Sequence, residues 1–166
     1  TTGEKVFREE IQAGAVLTRV MKSHIRVGTF EYARQFLKTE DLEKLTQYTI
    51  NRHYPDVAIQ QNAALTLLEQ VLHQQARLIA QWMRVGFIHG VMNTDNMSIA
   101  GETFDYGPCA FVNSYDPAKT FSSIDTNGRY AFGNQPNIAH WNLSCLANAL
   151  LPIIDTDTDK AVKMAT

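Results

Sequence analysis

The sequence predicts one mainly helical domain over residues 1–166, α+β in class, with a few short strands. Three features lead there. Apolar residues recur at steps of three and four between Asn62 and Val85, the period of a helix that buries one face. Residues that open and close helices flank that stretch and two others, with Thr29, the acids after Thr39, Pro55 and Gly86 as the signals. Runs of β-branched residues are short and broken by glycine, which leaves room only for strands of a few residues.

Taken in order, "GAVLTRV" (Gly14–Val20) is a β-branched run opened by glycine and is expected to form a strand. After Gly28, Thr29 is expected to cap a helix through "FEYARQFLK". A second helix should follow over "TEDLEKLTQYTINRHY", with acids in its first turn and Pro55 just beyond its end. The third and longest should carry its apolar stripe on Leu65, Leu68, Leu72, Ala76, Ile79 and Met83, and stop at Gly86. "MSIA" and "TFDY" on either side of Gly101 and Glu102 predict two short strands and a tight turn. From Tyr106 to Asn137, Pro108, Pro117, Gly128, Gly133 and Pro136 predict loop. "IAHWNLSCLANALLPII" closes the chain as a last helix, with Trp141, like Trp82 before it, expected in the core.

Composition excludes several classes. A formal net charge of −2 gives no global basic field, so neither nucleic acid nor an anionic membrane surface is an expected partner. No apolar run reaches the roughly 18 residues of a membrane span, and the N-terminus has no signal-peptide core. Cys109 and Cys145 stand in no paired or metal-binding spacing, which makes a reducing cytoplasm the expected setting. His24, His53, His73 and His140 show no ligand spacing either. The opening Thr and the tail "DTDTDKAVKMAT" suggest a piece of a longer protein.

The chemistry concentrates in "HGVMNTDNMSIAGETFDYG" (His89–Gly107). A hard divalent cation bound to nucleotide phosphates takes oxygen ligands, one or two of them from protein. A loop Asn followed by an Asp near the next strand's end can supply that pair, and Asn96 and Asp105 stand so. The His–Asn–Asp order is that of a protein-kinase centre. Where such a centre has its basic Asp, two residues after the His, this chain has Val91. Asp95 can offer a carboxylate from the same loop. A base must reach the proton that it accepts, so a displaced base implies a displaced acceptor. An EF-hand is excluded, because Ser98 stands where its glycine would be. From the residues alone, a kinase-like centre and a purely structural loop both remain open.

"GAVLTRV", "SHIRVG", "GFIHGVMNTDNMSI", "FDYGP" and "NQPNIAHWNL" together resemble the selenoprotein O (SelO/YdiU) family, in one order across most of the chain. The resemblance implies a pseudokinase fold and a protein adenylyltransferase. Such an enzyme binds ATP in reversed orientation, passes AMP to a Ser, Thr or Tyr hydroxyl of a target protein, and releases pyrophosphate. It implies Asp95 as proton acceptor, Asn96 and Asp105 as ligands of Mg2+ (or Mn2+), and Arg19, Arg26 and Asp105 as nucleotide contacts. Guanidinium groups suit phosphate oxygens through paired hydrogen bonds.

The family's glycine-rich segment and its ATP-binding Lys with an acidic partner have no counterpart before Gly14. The chain is therefore expected to be a kinase-like C-lobe with the N-lobe largely missing, inactive by itself. In that division residues 14–28 form a hinge-like strand segment, 29–105 the helices and catalytic loop, and 106–166 an activation-segment-like loop and final helix. Two alternatives stand beside it: an ordinary kinase-like phosphotransferase, against which Val91 speaks, and a catalytically idle scaffold.

Overall fold

Asn62 starts the longest helix, α3 (Ala63–Val85), by accepting the free amides of Ala64 and Leu65 on its side-chain oxygen. Gly86 ends it in the left-handed conformation at φ 73°, which glycine enters without steric cost. In the computed structural model, which describes residues 1–7, 9–57 and 62–166, four further helices complete the packing. They are α1 (Val27–Phe36), α2 (Thr39–His53), α4 (Gln135–Ile154) and α5 (Thr158–Ala165). Three of them, α2, α4 and α5, pack against α3, and α1 packs against α4 and α2. The Asn62 amide also donates to the carbonyls of Ile153 and Ile154, tying the start of α3 to the end of α4.

The core gathers Val27 and Phe30 of α1, Leu42 and Ile50 of α2, Leu67, Val71 and Ile79 of α3, and Leu146 and Leu150 of α4. At about 1.5–3 kcal/mol for each large apolar side chain fully removed from water, this cluster dominates the stability of the domain. Among the described residues no helix is long and apolar enough to cross a membrane.

The strands are minimal. β1 (Lys5–Phe7) pairs antiparallel with β2 (Ile11–Ala13), and β3 (Phe87–Ile88) with β4 (Ala110–Phe111). An isolated antiparallel bridge joins Arg26 to Ser98.

The second and third helices lie where the sequence puts them. Other expectations need correction. Gly14–Val20 forms no strand: the ladder stops at Ala13, and Val16, Leu17 and Val20 project into solvent with no backbone partner. The hairpin expected over 97–106 is absent because Ser98 and Ile99 pair with the segment before α1 instead. Thr29 is not the cap of α1. It is the third helical residue, and its hydroxyl accepts the amide of Arg26, which is the capping position. On α3 the buried face runs through Leu68, Val71, Gln75, Ile79 and Trp82, while Leu72 and Ala76 face out. Trp141 is 44% exposed, its ring covered by the Arg129 guanidinium at 4.7 Å, a cation–π contact. Helix α5 carries no expectation from the sequence.

Candidate active site

His89 organises the loop that follows β3. Its ring is fully buried against Trp82 and Phe87. The amide of Val91 donates to Nδ1 at 3.3 Å, so the proton lies on Nε2, which donates to the Phe104 carbonyl at 2.8 Å. One neutral imidazole thus ties residue 91 to residue 104, the neighbour of Asp105. Burial pushes the His89 pKa below its ordinary 6.5, against the opposing pull of the Phe104 carbonyl and Asp105. Burial also lowers His53, aided by the Arg52 and Lys22 cations.

A pH dependence follows. Below about pH 6.5 the unfolded chain takes up protons that folded His89 and His53 resist, so unfolding gains with acidity. The contribution is complete above the unfolded value and drains away as pH falls toward the folded one. Melting temperature is expected to be level from about pH 7 to 8 and to drop from about pH 7 to about pH 5.5, read by calorimetry across that range. A constant or rising melting temperature over the same interval would overturn it.

The rest of the loop is held from four directions. The Asn96 amide donates to the Val91 carbonyl at 2.9 Å, and the buried Asn142 of α4 donates to the Met92 carbonyl at 2.9 Å. Gln75 of α3 donates to the Ser98 carbonyl at 2.6 Å, and the Tyr54 hydroxyl to that of Ile99 at 2.8 Å. Burial raises the Tyr54 pKa to about 12, which keeps it a donor. Gln135, the first residue of α4, accepts the His89 amide at 3.0 Å and donates to the Phe87 carbonyl at 2.9 Å. Sequence reading missed Gln75, Gln135 and Asn142. For Gln75 and Asn142 a polar residue in a helical stretch was the only signal, and it does not reveal its partner. Gln135 fell in the stretch expected as loop up to Asn137, where β4 forms and α4 already begins at Gln135.

Within this frame each candidate carboxylate meets one candidate arginine. Arg19 Nη1 lies 2.7 Å from Asp105 Oδ1. Arg26 Nη1 lies 3.9 Å from Asp95 Oδ1 and donates to the Asp95 carbonyl at 3.3 Å. All four side chains are a third or more exposed, so each pair is worth about 0–1 kcal/mol and exchanges readily. Arg26 Nε is itself buried and has no acceptor among the described residues. Asp105 holds φ 59°, the one non-glycine residue described with positive φ. Asp95 and Asn96 share a 3-10 turn, Thr94–Asn96, closed by the Asn96 amide on the Asn93 carbonyl.

Asn96 and Asp105 each carry an oxygen of the kind that a hard cation binds. With the Asn96 nitrogen engaged by Val91, its side-chain oxygen is left to accept, and Asp105 adds a carboxylate. Among the described residues no three acidic, His or Cys side chains gather as a complete metal site. A cation held by Asn96 and Asp105 would thus need further oxygens from its ligand or from water.

Helices packed around a buried histidine, with guanidinium–carboxylate pairs at the loop end, define a helical domain with a polar centre. Family comparison gives it a place: the family described as "Protein adenylyltransferase SelO" matches residues 1–164, and the chain belongs to it. Among its relatives, the "Protein nucleotidyltransferase YdiU" of Shouchella clausii is 59% identical over 165 residues. The protein of the same name from Brevibacillus brevis is also 59% identical, and that from Clostridium perfringens 57%. Each alignment covers 99% of this chain and 34% of the relative, so the chain spans about a third of the length of these relatives.

Proposed function

We propose that the full-length protein transfers AMP from ATP to a Ser, Thr or Tyr hydroxyl of a protein substrate, in the cytoplasm. The hydroxyl oxygen bonds to the α-phosphorus, the bond from that phosphorus to the bridging oxygen breaks, and pyrophosphate leaves. The hydroxyl proton passes to Asp95. Arg19 and Arg26 bind phosphate oxygens, and Asn96 and Asp105 hold Mg2+ or Mn2+, which when bound neutralises phosphate charge. His89 keeps the Asp105 segment in register with the loop of Asp95. In this reading the helical domain is the C-lobe of a kinase-like fold, with residues 14–28 leading into it.

The observation that carries the reading is the pairing of Arg19 with Asp105 and of Arg26 with Asp95. Residues far apart in sequence, assigned by resemblance to one centre, meet as cation and anion. Exposed pairs of this strength yield easily to a polyphosphate, whose several charges satisfy both arginines. The carboxylates are then released for proton and metal.

The test supplies the full-length protein with magnesium and ATP labelled at either the α- or the γ-phosphate, beside an Asp105→Asn variant. Label in protein from the α position alone, lost in the variant, is expected. Label from the γ position would mean a kinase despite Val91. No label from either, in a folded protein, would favour the idle scaffold.

A further inference from the structure

Gly28 is the second residue of α1 and lies in ordinary helical backbone, so no positive φ demands glycine there. Glycine inside a helix is less stable than alanine, because it loses more freedom on folding. A local reason for it is therefore missing. The neighbour across the gap supplies one. A methyl group on Gly28 would fall inside contact distance of Asp95 Oδ1 and 3.1 Å from its Cγ, but at an ordinary 3.5 Å from the Asp95 amide nitrogen. The collision is confined to the carboxylate.

We propose that Gly28 is a positioning residue for Asp95, its bare Cα forming the floor on which the carboxylate rests. Before nucleotide draws it away, Arg26, at the cap of the same helix, forms the side: its Nη1 donates to the Asp95 carbonyl at 3.3 Å and stands 3.9 Å from Oδ1. The first turn of a helix also favours a nearby anion, since its amides point outward and carry partial positive charge. The seat is open and cationic on one side. Asp95 itself is two-thirds exposed, so it has many other orientations available and the seat selects one. Because the backbone of Asp95 stays clear of position 28, a methyl group there moves the carboxylate and leaves the loop in place. The role in catalysis rests on the proposed function of Asp95 as proton acceptor; the contact does not.

The experiment is a double-mutant cycle in the full-length protein, with wild type, Gly28→Ala, Asp95→Ala and the double variant compared. Melting temperature and steady-state AMP transfer are both read. In the Asp95→Ala background, Gly28→Ala is expected to raise the melting temperature, because helix propensity improves and nothing is displaced. In the wild-type background the gain should vanish or reverse. If Gly28→Ala fails to fold, recovery of folding in the double variant supports the seat equally well. For activity, Gly28→Ala should lower kcat by about tenfold to a hundredfold with KM for ATP unchanged, and cause no further loss once Asp95 is gone. A role in folding alone would shift both backgrounds equally and spare kcat. Equal melting shifts in the two backgrounds overturn the seat, and an unchanged kcat in an active enzyme overturns its catalytic part. If wild type transfers no AMP, the proposed function fails, and the melting cycle still decides whether Gly28 seats Asp95.

Discussion

Replacing Asp95 with Asn is expected to lower AMP transfer by the full-length protein by about 10²–10⁴-fold, the usual range for losing a general base. The carboxamide matches the carboxylate in shape and cannot take up the hydroxyl proton at neutral pH. Binding should survive the change. The hydrogen bond from Arg26 lands on the Asp95 backbone carbonyl, which every residue has, and the side-chain contact at 3.9 Å is loose and exposed. The exposed pair contributes about 0–1 kcal/mol, so the melting point should barely move. The measurement is single-turnover transfer from α-labelled ATP, with nucleotide affinity taken by calorimetry on the same samples. A variant that keeps its transfer rate removes Asp95 from the role of base. One that loses nucleotide affinity in step with rate makes it a binding residue.

The second large effect is on stability and lies away from the carboxylates. Gln135→Leu removes the bonds of Gln135 to the backbone of His89 and Phe87, besides a weak one to the Met83 sulfur, leaving the His89 amide and the Phe87 carbonyl buried without partners. Each orphaned group costs about 1–3 kcal/mol, so a loss of about 2–6 kcal/mol is expected. Against a domain stability of about 5–15 kcal/mol this is severe. Chemical denaturation of Gln135→Leu beside Asn137→Leu, an exposed change two positions along the same helix, is the check. Equal midpoints for the two variants would show that the Gln135 bonds contribute nothing net.

What could be read from the chain, and what could not, divides along the range of the interactions. Helices α2 and α3 were legible because their signals are local: acids after Thr39, the apolar period between Asn62 and Val85, Gly86 at the end. The face that α3 buries was only half legible. Apolar residues cover more than one side of it, and which side turns inward is decided by α2 and α4. β3 and β4 have two residues each and exist only because Phe87 and Ile88 find Phe111 and Ala110 across more than twenty residues. The β-branched run at Gly14–Val20 had the right letters, but beyond Gly14, which bonds to Thr2 and Glu4, it has no backbone partner among the described residues. At the candidate site, motif spacing singled out Asp95, Asn96 and Asp105, and resemblance added Arg19 and Arg26. Neither could reveal the pairing of each arginine with one carboxylate, nor that position 28 is small because position 95 fills the space.

The left-handed backbone of Asp105, at φ 59°, narrows the ways in which such a centre could fall silent. Most side chains enter that region at a cost of about 1–2 kcal/mol, whereas Asn and Gly enter it with little strain. Many letters would delete the carboxylate, yet only these two delete it and leave the fold untroubled. A lineage drifting from catalyst to scaffold by one change at this position therefore has two easy exits, and any other departure arrives as a protein weakened in folding as well as in chemistry.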